Sequence, residues 1–130
     1  MSSHFLQISQ VSKFFGEKGK ERCVLSNINL DVQPTEFICL LGPSGCGKST
    51  LLNTIAGFIK PDLGDVTVND QRVRKPGPDR GFVFQKNSLL PWMTLEQNVG
   101  YGLKIQGFTK SQIRDKVDHY LDLVGLSAHR

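Results

Sequence analysis

The stretch "LLGPSGCGKSTLLNTIAGF", Leu40 to Phe58, constrains the chain more than any other. An apolar run, Phe37 to Leu41, meets a bend of glycines and small residues, and an apolar-periodic segment follows at once. Such a run reads as a strand buried on both faces, as in parallel sheets. Leu51, Leu52, Ile55 and Ala56 recur at helical spacing, and Gly57 stands where a helix would stop, so a helix of about ten residues is expected over Ser49–Phe58. Gly42, Pro43, Ser44, Gly45, Cys46, Gly47, Lys48 and Ser49 satisfy the pattern GxxxxGK[ST] in the strand-bend-helix context that the pattern requires.

Each residue type there has a physical reason. Glycine permits positive φ and lets main-chain N–H groups point inward around phosphate oxygens without obstruction. The helix start adds unpaired N–H groups and a positive dipole end. Lys48 can carry an ammonium to the β and γ phosphates, Ser49 a hydroxyl to a magnesium ion bridging them, and Thr50 can reach the α-phosphate side. A chance match in a chain this long is on the order of one in a few hundred, and the flanking elements lower it further.

The rest of the chain supplies a frame. "FLQISQV" (5–11) and "VLSNINLDV" (24–32) alternate apolar and polar residues like half-buried strands, with "FFGEKGKER" as a turn between them. "KPDLGD" reads as a loop, Val66, Val68 and Val73 as a short alternating strand, "RKPGPDRG" as a second loop, and Gly81–Phe84 as a short buried strand ending at Gln85. Thr94 is placed to cap a helix over Leu95–Ile105. Thr109 or Ser111 would cap another, carrying Ile113, Val117, Tyr120, Leu121 and Val124 on one stripe and ending at Gly125.

A net charge of +4 comes from basic residues scattered along the chain, a mild bias toward anionic ligands that does not support nucleic acid as a partner. Three cysteines without CxxC spacing indicate neither a disulfide framework nor a zinc site. No window approaches a membrane span, so any membrane would be reached through a partner.

With these residues in hand, the chain resembles the ATP-binding subunits of ABC transporters. "LLGPSGCGKSTLLNTIAGF" is similar to their Walker A segment, "VSKFFG" (11–16) to their A-loop, and "RGFVFQKNSLLPWMTLEQNVGYGL" (80–103) to their Q-loop and the start of their helical subdomain. On periodicity alone Phe15 would be a core aromatic at a strand end. The resemblance instead implies that it stacks on adenine, in a place where tyrosine is more common. Gln85 alone would be an ordinary polar strand end, but the resemblance puts it on the magnesium ion and the attacking water, in a loop that contacts membrane subunits. Leu89 to Trp92 reads either as a loop anchor or as the apolar part of a groove for a transporter's coupling helix.

The resemblance implies an α/β P-loop NTPase fold of the ABC ATPase type in truncated form. It would have an N-terminal antiparallel β part, a Walker A strand-loop-helix, a Q-loop strand and the start of the helical subdomain. The nucleotide-binding core would occupy residues 1–87 and the helical subdomain 88–130. ATP and Mg2+ are the implied ligands. They would be held by Phe15, Gly42, Pro43, Ser44, Gly45, Cys46, Gly47, Lys48, Ser49, Thr50 and Gln85, with Ser49 and Gln85 on the metal and Lys48 and Gln85 as a partial catalytic set. Membrane-spanning permease subunits would dock through Gln85 to Trp92, the full-length form would be a homodimer, and the place of work would be the cytoplasmic face of the plasma membrane. Within the family, "PGPDRGFVFQ" followed by "LLPWMTLEQNV" is most similar to importers of nitrate, sulfonate and taurine.

The 130 residues contain no Leu-Ser-Gly-Gly-Gln signature, no apolar run followed by Asp-Glu, and no histidine in the switch position, since His4, His119 and His129 all stand elsewhere. Hydrolysis needs a carboxylate near the metal and a group orienting water. The chain is therefore expected to bind ATP without turning it over alone, and to be a fragment whose Phe37–Leu41 strand lacks neighbours and invites aggregation. A non-hydrolysing nucleotide-binding or docking module is the alternative. A small kinase or GTPase is disfavoured by Phe15, the Gln85 segment and the absence of an Asn-Lys-x-Asp motif.

Overall fold

The computed structural model describes residues 5–86 and 88–129. His4, Asn87 of the Q-loop segment and the expected boundary at 87 lie outside them. The chain forms two compact units, Met1–Phe82 and Val83–Arg130.

The first unit is built on β1 (Leu6–Phe15), β2 (Arg22–Val32), β3 (Leu63–Val68) and β4 (Gln71–Arg72), with α1 (Lys48–Ala56) between β2 and β3. All neighbouring strands are antiparallel, in the order β2-β1-β3-β4. Ile8 and Val11 both face the core although three residues apart, because a bulge at Gln10, whose φ is 51°, adds one residue to β1 between the pairs Ile8–Leu30 and Val11–Ile28. Asn69 and Asp70, with φ of 47° and 61°, make the two-residue turn joining β3 to β4, the twist that a tight hairpin needs. Val73 continues that hairpin by donating its amide to Val66 O at 2.8 Å. Ile8, Val11, Leu25, Val66 and Leu51 of α1 form the buried cluster, flanked by Leu40 and Ile55.

Four expectations need correction. β1 does not turn at Phe14 but runs through Phe15, paired with Arg22. β3 begins inside the expected loop, at Leu63, because Leu63 pairs with Ser12. Phe37–Leu41 joins no ladder, with Phe37 91% and Leu41 89% exposed, and only Leu40 of its apolar residues packs against the core. Gly81–Phe84 likewise forms no strand, and Val83 is 96% exposed. The cause is common to the last two: a buried parallel strand needs neighbours on both edges, and the described residues place none beside either run.

The second unit holds α2 (Leu95–Ile105) and α3 (Lys110–Leu123), each started by a threonine capping box. Thr94 Oγ1 accepts from the Gln97 amide at 3.2 Å while Gln97 Oε1 accepts from the Thr94 amide at 3.0 Å. Thr109 and Gln112 repeat the arrangement. The helices approach closely at Gly100, where a Cβ would lie 3.0 Å from Ile113 Cγ2.

Candidate functional site

The bend between Leu41 and α1 is shaped by its glycines. Gly47 caps α1 with φ of 101°, and a methyl group there would lie 2.9 Å from Val24 O of β2, so the loop's far end sits directly on that strand. A methyl on Gly42 would meet Cys46 Sγ at 2.8 Å, whereas Gly45, with φ of 78°, faces open space. No side chain caps α1. Among the described residues, the main-chain amides of Gly42 and of 44–49 donate no hydrogen bond, so a run of unspent N–H donors ends on an uncapped helix start.

The one cation of the loop crosses it. Lys48 Nζ donates to Gly42 O and to Pro43 O, both at 2.7 Å, and makes a weaker 3.6 Å contact with Cys46 Sγ. Two of its three N–H bonds therefore brace the loop, and the third faces a soft acceptor that an anionic oxygen would readily replace. The Ser49 hydroxyl is exposed on the first turn of α1 and has no partner among the described residues. Thr50 instead offers its carbonyl to Thr54 Oγ1 at 2.8 Å within the helix. The residues fit a polyphosphate: unspent amides, a bracing ammonium and a free hydroxyl stand together on one short loop, which side chains at Gly42 or Gly47 would push against Cys46 or β2. The described residues hold no group of three or more His, Cys, Asp or Glu suited to a metal, so a cation here would rest on phosphate oxygens and a hydroxyl.

Phe15 ends β1 opposite Arg22, two residues along β2 from the Val24 carbonyl against which Gly47 packs. Strand spacings put it on the order of 10 Å from that point. The strand reaches this far because Asp62 completes its edge. The Asp62 amide donates to Ser12 O at 3.0 Å, and its carboxylate accepts from the Phe14 amide at 2.8 Å and from Lys13 Nζ at 3.0 Å. The Phe14 amide, and then Lys13, hold the Asp62 carboxyl below its ordinary pKa. Gln85 lies in the other unit, exposed.

Sequence reasoning missed Asp62, which acts on residues some fifty positions earlier, and it missed Asn98. Asn98 Oδ1 accepts from the Leu90 amide at 2.7 Å, while Nδ2 donates to the carbonyls of Leu90, Met93 and Thr94 at 3.1, 3.1 and 2.9 Å. That side chain fixes the loop presenting Leu89 and Trp92, which is 76% exposed at a groove of about 700 Å³ running between α2 and α3. Asparagine inside a helix competes with the backbone, and this was the available signal.

The family model for ABC transporters matches residues 25–130. The chain belongs to the ABC transporter family. It is 48% identical over 121 residues to the nitrate import ATP-binding protein NrtD of Synechocystis sp., covering 93% of this chain and 46% of that protein. It is 41% identical over 124 residues to the taurine import ATP-binding protein TauB of Pseudomonas aeruginosa, covering 95% and 47%. A solved dimeric, post-hydrolysis ATP-binding cassette, MJ0796, bound to ADP and Pi, superposes with a TM-score of 0.78 at 29% identity, over 90% of this chain and 56% of that one. The chain thus spans about half the length of the relatives it matches. The fold class expected from the sequence, an ABC-type ATPase piece with an antiparallel β part, stands. No helix among the described residues is long and apolar enough to cross a membrane.

Proposed function

We propose that this chain carries the triphosphate-binding part of the ATP-binding subunit of an ABC importer for anions of the nitrate, sulfonate or taurine kind. The main observation behind this reading is the run of unspent amides over 42–49 with Lys48 laid across it. Gly42, Pro43, Ser44, Gly45, Cys46 and Gly47 wrap the β and γ phosphates with their backbone. Lys48 gives its remaining N–H to the γ side, and the amide and hydroxyl of Thr50 serve the α side. Magnesium, when bound, would supply positive charge to the phosphate oxygens, and the Ser49 hydroxyl would be its protein ligand in this unit. Phe15 stacks on the adenine.

Gln85 belongs to the same chemistry in a complete subunit, where its carbonyl suits a hard cation and its amide N–H a water. The core assigned to 1–87 and the helical part assigned to 88–130 would work in a homodimer at the cytoplasmic face, with permease subunits against Gln85 to Trp92. Lys48, Ser49 and Gln85 orient phosphates and metal but supply no base, so these 130 residues bind ATP and do not release phosphate.

Calorimetric titration of the chain with Mg-ATP, beside Lys48→Ala, tests this. Removing a charge-assisted contact is expected to weaken binding about 10- to 100-fold, and equal affinities would remove the assignment. A docking role without turnover is the second reading, favoured by the exposure of Trp92 beside the α2–α3 groove. Trp92→Ala should then abolish association with permease-bearing vesicles while ATP binding stays unchanged.

A further inference from the structure

Lys13 and Phe15 stand two residues apart near the end of β1. Lys13 Nζ lies 5.4 Å from the centroid of the Phe15 ring, inside the range of a cation–π contact, and is held there by Asp62 Oδ1 at 3.0 Å. Its side chain is only 15% exposed, whereas Phe15 remains 43% exposed. The cation is therefore partly withdrawn from water and tied from below, and it covers only part of the ring it touches.

We propose that Lys13, anchored by Asp62, is a positioning residue that fixes the Phe15 ring as a stacking platform for the base of a purine nucleotide. This rests on the reading of Phe15 given above. Phenylalanine has no hydroxyl with which to fix its orientation, and a ring at the exposed tip of a strand would otherwise sample several rotamers. Two constraints remove that freedom. The Asp62 carboxylate, by accepting from the Phe14 amide, keeps the backbone extended up to Phe15, beyond the point where β3 stops pairing. The ammonium then holds one face of the ring through its quadrupole and draws electron density toward that side, which favours an electron-rich purine on the opposite face. Order at the platform before binding lowers the entropy lost when the base arrives.

The test compares Mg-ATP with inorganic tripolyphosphate, which presents the phosphates without a base, on the full chain. Lys13→Met, which keeps the stem and removes the charge, should weaken ATP about fivefold and leave tripolyphosphate unchanged, and Lys13→Arg should restore ATP. If both ligands weaken together, Lys13 acts on phosphates or on the fold and the proposal is overturned. It is also overturned if neither weakens. Phe15→Ala should weaken ATP about tenfold with tripolyphosphate unaffected. If that variant leaves the ratio of the two affinities unchanged, the stacking role of Phe15 fails, whereas a changed ratio there with none in Lys13→Met sinks only the role of Lys13. Should Lys13→Met not fold, Asp62→Asn, which retains an acceptor for the Phe14 amide, should show the same selective loss. A proportional loss in both ligands would overturn the proposal equally.

Discussion

Phe37–Leu41 and Gly42–Ser49 are consecutive in the chain and opposite in what holds them. The glycine loop is shaped from within: positive φ at Gly45 and Gly47, the Lys48 brace, and a helix that begins on its last residues. From farther off in the chain it leans on β2 beneath Gly47. The apolar run supplies no such internal bonds. It has strand composition but no strand beside it, and its phenylalanine and leucine stand in solvent at either end. A site can thus be specified by a few consecutive residues, while a buried strand is specified only jointly with its neighbours.

The contrast is open to attack. The α1 helix that ends the loop is fastened to the sheet by Leu51, which is buried with Ile8, Val11, Leu25 and Val66. Leu51→Ala should cost about 3 kcal/mol in urea unfolding and weaken ATP binding with it. A loss under about 1 kcal/mol would mean that α1 does not depend on this core. Next in size, Gly47→Ala should cost about 2 kcal/mol, since a left-handed φ and a backbone oxygen both oppose the new methyl group, whereas Gly45→Ala meets only the φ penalty of about 1 kcal/mol. Equal costs at the two glycines would show that β2 does not support the loop.

Capping contributes less. Thr109→Ala should cost about 1 kcal/mol through loss of its capping box, measured as amide exchange in the first turn of α3. The Asp62 clamp should show in acid. Its folded pKa lies below 3.8, so its contribution is fully present above that value and is lost as pH falls through the lower, folded value. The acid-induced fall in thermal midpoint should therefore be shallower in Asp62→Asn than in the parent chain. An identical fall would show that the clamp does not form in solution.

These rankings follow what was legible beforehand. Helix α2 was readable to its ends, and α3 nearly so, because Thr94–Gln97 and Thr109–Gln112 are complete signals within four residues. The glycine bend running into α1 was readable for the same reason, from consecutive residues. The end of β1 was not, because Asp62, far along the chain, decides where the strand stops. Nor was the fixing of the Leu89–Trp92 loop, which depends on one asparagine in the following helix. What misled was Phe37–Leu41 and Gly81–Phe84, where composition named an environment that the described residues do not build.

The smallest expected effect is also the sharpest test of that last point. Phe37 is almost fully exposed, so Phe37→Ser should change the free energy of urea unfolding by less than about 0.5 kcal/mol, although phenylalanine to serine in a core would cost several. Light scattering at raised concentration should fall at the same time, because an unpaired apolar run recruits other copies edge to edge. A loss of 2 kcal/mol or more would mean that Phe37 is buried in solution. Whether that loss grows with protein concentration then separates burial against a second copy from burial within the chain. Independence from concentration would mean that the run packs on its own unit, and the distinction between a self-specified loop and a partner-dependent strand would fail at its clearest residue.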